Sequence, residues 1–203
     1  NDAEVHLKLE AARNAGIPID GHAPGLTGEE LKKYISAGIT TDHECSSLEE
    51  ALEKISDGMK ILIREGSAAK NLEVLAPLIS YYPDKVMLCT DDFHPEALLR
   101  GHINKLVARL ISMDYNVFDV IRVASVNTYE HYRINAGTLR PGDSADFIIV
   151  DDPKTMNVLQ TWIDGKCVFD GDKVLFSPGE IVKINKFKCT RLLPDEIRVI
   201  NEG

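Results

Sequence analysis

Between residues 17 and 124, short apolar runs alternate with amphipathic segments, and this alternation constrains the fold more than any other feature of the chain. Each amphipathic segment carries apolar residues three and four positions apart, which is the spacing of one helix face. Strands that alternate with helices predict right-handed βαβ units and a parallel sheet. The pattern alone suits a (β/α)8 barrel and an open doubly wound sheet, and it leaves both alternatives open. The four predicted strands cover residues 17–21, 39–41, 59–63 and 86–89.

The pattern changes near Gly137, where a turn-rich stretch begins. Three short runs that follow are typical of strands, and Asp-Pro and Asp-Gly turns separate them. These runs cover residues 146–150, 158–163 and 166–169. We therefore predict two units: an α/β unit over residues 1–136 and part of a small β domain over residues 137–203.

Charge and cysteine content exclude several classes of protein. The formal net charge of -9 argues against partners bound through bulk charge, such as nucleic acid or an anionic membrane. No run approaches the roughly 18 apolar residues of a membrane span. The four cysteines form no CxxC pair, so we expect neither a disulfide scaffold nor a zinc knuckle, and we expect a cytoplasmic location. The chain opens without Met in a helical pattern, which we interpret as an internal fragment of a longer protein.

Polar side chains end all four predicted strands of the α/β unit. Because the carboxyl ends of parallel strands lie on one rim, side chains distant in sequence can converge there. His22, His43 and Asp91 are the candidate metal ligands, since imidazole and carboxylate together suit Zn, Mn or Fe. The alternative is that these residues are ordinary exposed strand termini. The four ends read Asp20-Gly21-His22, Asp42-His43-Glu44, Arg64-Glu65 and Thr90-Asp91-Asp92.

The chain resembles the adenine deaminases of the amidohydrolase superfamily. The resemblance covers most of the chain up to about Gly171, and the stretches occur in the family's order and spacing. It implies the second half of a metal-dependent (β/α)8 TIM-type barrel, with four βα units, followed by part of a small β-sandwich domain. The stretches are DGHAPG (20–25), TDHECSSLEEAL (41–52), IREGSAAKNL (63–72), LCTDDFHP (88–95) and GTLRPGDSADFIIVDD (137–152).

The resemblance also implies a divalent metal centre, binuclear with Mn or Fe, although Zn would also suit it. By position in the motifs, His22 and His43 would be ligands after the fifth and sixth strands, and Asp91 a ligand after the eighth. Asp91 would also move the proton as hydroxide attacks C6 of adenine, giving hypoxanthine and ammonia. Asp42 or Glu44 would accept the second N–H of a ligand histidine. The remaining ligands of the family would precede His22, so residues 1–203 alone are expected to be inactive.

Further residues at the rim are candidates for contact with the substrate, adenine. Alternatively, Arg64 and Glu65 form an ordinary ion pair at the surface. Asp92 could instead cap its loop. Phe93 departs from the basic residue that the family pattern leads us to expect. We also expect a homo-oligomer, because half a barrel leaves a strand edge unpaired. The candidates are Arg64, Glu65, Ser67, Asp92 and His94.

Two other functions stay open on the sequence. One is a different metal-dependent amidohydrolase that acts on a cyclic amide or another nucleobase. The other is a non-catalytic half-barrel that binds a small molecule or a partner chain. Metal content and a panel of bases would separate these alternatives from an adenine deaminase.

Overall fold

The first sheet of the structure is parallel and lies in the α/β unit. The computed structural model describes residues 3–177, 179–180, 182 and 184–199. The sheet has the strand order β1-β2-β3, and β2 pairs with both neighbours in parallel. The predicted strand over residues 17–21 is reduced to one parallel bridge, between Ile19 and Ile39. The strands are β1 (Thr41–Asp42), β2 (Lys60–Arg64) and β3 (Val86–Cys89).

Helical segments connect and follow these strands, as the alternation predicts. A single π-helical segment, Arg122–Val126, joins the last two helices of the unit. The helices are α1 (Ala3–Ala15), α2 (Gly28–Ser36), α3 (Leu48–Ser56), α4 (Leu72–Leu75), α5 (Pro77–Tyr81), α6 (Pro95–Leu98), α7 (Ile103–Ser112), α8 (Val117–Ile121) and α9 (Asn127–Tyr132). None of the helices in the described part of the chain is long and apolar enough to cross a bilayer.

Two local predictions are wrong. The spacing of Leu72, Leu75 and Ile79 predicts one helix, but the structure divides it into α4 and α5. The break falls at Pro77, which has no N–H to donate within a helix. The pattern also predicts Ser46 as the N-cap of α3, whereas Ser47 is the cap and its hydroxyl accepts a hydrogen bond from the Glu50 N–H.

The main core lies between the parallel sheet and its helices. Ile61 and Ile63 of β2 are fully buried, and they alternate with the half-buried Leu62. The amphipathic faces of α3, α4, α5 and α7 supply the other side of this core. Its largest completely buried members include Leu72, Leu75, Ile79, Val86 and Leu110. Because strand side chains alternate between the two faces of a sheet, every second residue of β2 points into this core.

The second sheet is antiparallel and follows the change of pattern near Gly137. Its strand order is β4-β5-β6, with an irregular register in each pair. Asp164 and Gly165 connect β5 to β6 with positive φ at both residues, which is the type I′ hairpin turn. The rings of Phe147 and Trp162 stack across β4 and β5 with centroids 5.7 Å apart. The strands are β4 (Phe147–Val150), β5 (Val158–Ile163) and β6 (Lys166–Phe169).

The loop between β4 and β5 packs against α7. Met156 from this loop is 9% exposed and belongs to the main core. Its carbonyl accepts a hydrogen bond of 2.8 Å from the side-chain amide of Asn104. Lys105 donates to the Thr155 carbonyl at 3.0 Å and to the Asn157 side chain at 2.6 Å. The protein is therefore a mixed α/β structure in which the small sheet contacts the helical layer. Residues 178, 181, 183 and 200–203 of the predicted β domain lie outside the described residues.

Candidate metal centre

Two histidines meet at the carboxyl ends of neighbouring parallel segments. His43 follows β1 directly, and His22 follows the segment that bridges to Ile39. Gly21 permits this approach, because a Cβ there would lie 2.3 Å from the Thr41 carbonyl oxygen. The His22 Nδ1 atom lies 3.3 Å from the His43 Nε2 atom. The loop and the strand end thus bring two imidazole nitrogens together.

Glu44 completes a triangle of ligand-type atoms with these histidines. Its Oε1 atom lies 3.6 Å from His22 Nδ1 and 3.4 Å from His43 Nε2. Two nitrogen ligands about 2.0–2.1 Å from one tetrahedral ion lie about 3.3–3.4 Å apart, so the observed separations fit one shared ion. Two imidazoles and a carboxylate are a donor set that suits Zn, Mn or Fe. The His22 side chain is 66% exposed, so the triangle is open to solvent.

Asp91 lies beside the triangle and contacts it through Arg64. One guanidinium nitrogen of Arg64, Nη1, lies 2.5 Å from Glu44 Oε1 and 2.7 Å from Asp91 Oδ2. Arg64 as a whole is 8% exposed, while the Asp91 side chain is 44% exposed. Asp91 itself has a φ of 46°, in the left-handed region. Arg64, a candidate substrate contact, thus binds two carboxylates. It lies between the candidate ligand Asp91 and Glu44, which is next to the histidine pair.

The other candidate substrate contacts lie in loops beside Arg64. Ser67 accepts a hydrogen bond of 2.9 Å from the backbone N–H of His94, whose own side chain is exposed. Asp92 accepts one of 2.8 Å from the Ala68 N–H, and this bond lowers the pKa of Asp92. Glu65 accepts a hydrogen bond of 2.8 Å from Arg109. Asp92 therefore caps the loop at Ala68, and Ser67 joins the two loops.

An open cleft of about 370 Å³ adjoins these loops. Its lining includes Ser67, Phe93 and three cationic side chains: Lys70, Arg100 and Lys105. The Phe93 ring also lies 6.0 Å from the His102 ring, measured between centroids. The cleft is thus lined by an aromatic ring and by cationic side chains.

Asp42 does not accept an N–H from either histidine. Successive residues of a strand point to opposite faces, so Asp42 points away from His43 and into the protein. It is completely buried, and its carboxylate accepts hydrogen bonds from the Ala23 N–H at 2.9 Å and the Cys45 thiol at 3.2 Å. Of the two acceptors that the sequence suggested for the histidines, Glu44 lies beside them and Asp42 does not.

Sequence reasoning missed a buried ion-pair cluster beneath the histidines. Lys54 is completely buried and pairs with Asp42 at 2.9 Å and Glu50 at 2.6 Å. Burial is the largest single influence and would raise the pKa of both carboxyls. The hydrogen bonds and charge of Lys54, together with backbone N–H donors from Ala23 to Asp42 and from Ser46 and Gly25 to Glu50, outweigh it, so the pKa of each is lowered. Burial opposes the charge of Lys54 as well, yet the two carboxylates that accept its hydrogen bonds raise its pKa. The only local sign is that Lys54 falls three positions after Ala51, beside the apolar face of α3, and this position by itself does not establish burial.

Comparison with known proteins adds a family and several close relatives. Residues 1–168 match the amidohydrolase family. The chain is 54% identical over 198 residues to an adenine deaminase of Methanosarcina mazei, covering 97% of this chain and 36% of that protein. It is 54% identical over 202 residues to an adenine deaminase of Parabacteroides distasonis, covering 100% of this chain and 37% of that protein. The chain thus spans little more than a third of the length of these relatives.

Solved structures share the fold at low sequence identity. A β-aspartyl dipeptidase from Fervidobacterium islandicum has a TM-score of 0.66 at 15% identity, covering 87% of this chain and 53% of that chain. An enamidase described as a new member of the amidohydrolase superfamily has a TM-score of 0.64 at 16% identity, covering 81% of this chain and 51% of that chain. Both similarities concern the fold alone.

Proposed function

The chain belongs to the amidohydrolase family, and on that premise we propose that it is a carboxyl-terminal fragment of an adenine deaminase, which hydrolyses adenine to hypoxanthine and ammonia. The relatives that share about half of its residues are named adenine deaminases. The observation that carries the proposal is the pair of imidazole nitrogens 3.3 Å apart at the strand ends. In this reading residues 1–136 form the second half of a (β/α)8 barrel, with four βα units. Residues 137–203 form part of a small β-sandwich domain.

The proposed metal ligands are His22, His43 and Asp91, in a centre that holds two divalent ions, Mn or Fe, with Zn also suited. When bound, such an ion would lower the pKa of water to about 7 and so supply hydroxide near neutral pH. The two imidazoles would bind as neutral ligands through His22 Nδ1 and His43 Nε2. Glu44 Oε1, at 3.4–3.6 Å from both nitrogens, lies where it can join the ligand set.

Asp91 is the proposed catalytic residue. Its carboxylate is 44% exposed, so a substrate at the rim can reach it. In hydrolysis a C6–O bond forms and the C6–N bond of the amino group breaks, so one proton must travel from the attacking water to the departing ammonia. A positioned carboxylate can carry that proton. Arg64 holds Asp91 Oδ2 at 2.7 Å and thereby fixes its orientation.

The loops beside Arg64 are the proposed substrate site. Ser67 and Phe93 line the cleft of about 370 Å³, and Asp92 fixes the loop that carries Ser67. A planar purine can stack on the aromatic ring and receive hydrogen bonds from polar loop residues. The residues proposed to contact adenine are Arg64, Glu65, Ser67, Asp92 and His94.

The proposal also covers the cellular location and the partners of the enzyme. The net charge of -9 and the four free cysteines support a cytoplasmic protein without nucleic acid or membrane partners. Within the described residues β3 pairs with β2 alone, and an open strand edge of this kind supports a homo-oligomer.

Steady-state ammonia release tests the proposal directly. The protein expressed from the complete reading frame is assayed with Mn²⁺ for ammonia release from adenine, guanine and cytosine. Turnover of hydantoin, a cyclic amide whose hydrolysis releases no ammonia, is measured separately as ring opening to the carbamoyl acid. We expect turnover of adenine to exceed that of the other substrates. Preference for another base or for the cyclic amide would replace this function with another amidohydrolase activity. Failure to bind any metal or turn over any substrate would favour a non-catalytic binding module.

A further inference from the structure

Lys54 is a buried cation whose three protons are all used. Its side chain is 0% exposed. The ammonium donates to the Ala23 carbonyl at 2.6 Å, to Asp42 Oδ2 at 2.9 Å and to Glu50 Oε1 at 2.6 Å. An ammonium group has three N–H donors, so the coordination of Lys54 is complete.

Two of the three partners of Lys54 are chain neighbours of the two histidines. Ala23 directly follows His22, and Asp42 directly precedes His43. The other oxygen of Asp42, Oδ1, accepts the Ala23 N–H at 2.9 Å. Lys54 and Asp42 therefore hold both backbone polar groups of Ala23, and the loop after His22 is attached to the end of β1.

Glu50 makes a second connection between the same two loops. Its Oε1 atom accepts the Gly25 N–H at 2.7 Å, and its Oε2 atom accepts the Ser46 N–H at 3.1 Å. Gly25 lies in the loop after His22, and Ser46 in the loop after His43. The helix α3 thus carries, through Lys54 and Glu50, a polar bridge beneath the histidine pair.

Stabilisation of the fold does not by itself explain why Lys54, Asp42 and Glu50 are charged residues. Buried ion pairs lose so much hydration that well-packed apolar residues often stabilise a fold as well or better. Ala51 and Ile55, next to Lys54 on α3, are apolar residues of the main core. What the ions add is directional hydrogen bonding, which an apolar side chain cannot supply.

We propose that Lys54 is a positioning residue for the metal centre: its ammonium ties the loop after His22 to the end of β1, so that the two imidazoles keep the separation that one ion needs. The inference rests on the proposed function, since it concerns the same histidines. The ring of His22 depends on this anchor because it is 66% exposed and has little packing of its own. The Tyr34 hydroxyl, which accepts the His22 N–H at 3.0 Å, provides a separate anchor that the test leaves intact.

The test is the metal affinity of a Lys54→Met variant of the protein expressed from its complete reading frame. Titration with Co²⁺ and Mn²⁺ gives the dissociation constants, and the Co²⁺ absorption spectrum reports the ligand geometry. We expect the dissociation constant to rise at least about 10-fold, because partners that orient metal ligands are typically worth 10- to 100-fold in affinity. We also expect the Co²⁺ spectrum to change.

Leu110→Ala is the matched control, since Leu110 is 0% exposed and belongs to α7 rather than to either loop. It lowers the melting temperature through a cavity, and its metal affinity should stay within about 3-fold of wild type. Equal losses of affinity in the two variants would reduce Lys54 to a contributor to general stability. Unchanged affinity in Lys54→Met would overturn the proposal.

Glu50→Gln is the second variant, in case Lys54→Met does not fold. It weakens the bridge to Gly25 and Ser46 but keeps Lys54 and Asp42 paired, so we expect a smaller loss of affinity in the same direction. Failure of both variants to fold would assign Lys54 to the fold rather than to the metal. A wild-type protein that binds neither Co²⁺ nor Mn²⁺ would refute the proposed function itself. It would also refute the positioning role of Lys54, which depends on that function.

Discussion

Arg64 and Asp91 form an ion pair across the ends of β2 and β3. The register pairs Arg64 with Cys89, so Asp91 lies two residues beyond its strand and turns back, with a φ of 46°, to place Oδ2 at 2.7 Å from the guanidinium. The same guanidinium contacts Glu44 at the end of β1. One cation thus connects three strand ends, and its removal should change the side-chain contacts at each of them.

Asp91→Asn should reduce the rate of adenine deamination by about 10²- to 10⁴-fold, the usual worth of one positioned proton carrier. The fold should persist, because Asn tolerates the left-handed backbone of this position better than most residues. The rate of ammonia release and the melting temperature are the two measurements. Asp114→Asn is the matched control, since Asp114 is exposed and also has a positive φ of 66°. Wild-type turnover in Asp91→Asn would remove Asp91 from the mechanism.

Arg64→Lys should lower kcat/KM for adenine about 10- to 100-fold, although the charge is kept. A lysine cannot reproduce the planar fork of a guanidinium, and a hydrogen bond to a charged group is worth about 1.5–3 kcal/mol. Arg140→Lys, at an exposed ion pair with Glu130, serves as the control and should have no effect. Equal kinetics for the two variants would show that Arg64 neither orients Asp91 nor contacts the substrate.

His43→Ala should weaken metal binding by more than about 100-fold, since loss of a ligand should exceed the 10- to 100-fold loss typical of its outer partners. A chelator should lower the melting temperature of the wild type, because a bound ion stabilises the folded state alone. It should leave His43→Ala unchanged. The exposed His6 of α1 provides the control variant His6→Ala, which should behave as wild type. An undiminished metal content in His43→Ala would exclude His43 as a ligand.

The small sheet should lose stability in acid. Hydrogen bonds from Thr155 and Asn157 hold the pKa of Asp151 well below its ordinary value of 3.8. A group with a lowered folded pKa stabilises the fold above its unfolded pKa, and that contribution disappears as the pH falls through the folded value. Trp162, the one tryptophan of the chain, lies in β5 and reports the melting of this sheet by fluorescence. The melting temperature should fall below about pH 4, and less so in Asp151→Asn; parallel curves for both proteins would contradict this account.

Residues 1–203 expressed alone should release no ammonia from adenine. The chain contributes three proposed ligands, His22, His43 and Asp91, and a binuclear centre needs more donors than these. We also expect the isolated chain to self-associate through its open strand edge, which light scattering would detect. The same chain with Asp91→Asn defines the background. Rapid deamination by a monomer of this chain would contradict both expectations.

The order of the strands was predictable because each apolar run is followed by an amphipathic segment, and β3 begins and ends as the pattern predicts. The meeting of His22 with His43 followed from the rule that parallel strands end on one rim. The division of the helix at Pro77 has a local cause in the sequence, the missing N–H of proline, which apolar spacing does not register.

The burial of Lys54 could not be read from α3 alone. A lysine in an amphipathic helix is ordinarily solvated, and its burial becomes favourable only where carboxylates face it inside the protein. Asp42 does so because it is the inward-pointing residue at the end of β1, a fact that depends on register. The Arg64 contacts with Glu44 and Asp91 depend likewise on the distance between three strand ends, which no local pattern contains.

The burial of Met156 in the main core bears on the boundary predicted at residue 136, because this residue packs against helices on the other side of it. A polypeptide that ended there would leave a void beside α7, and Asn104 and Lys105 would lose the acceptors that they now bind. The change in sequence pattern marks where the architecture changes, but cooperative unfolding should extend across it. Amide protons of α7 and of the loop between β4 and β5 should therefore exchange with solvent in one concerted opening.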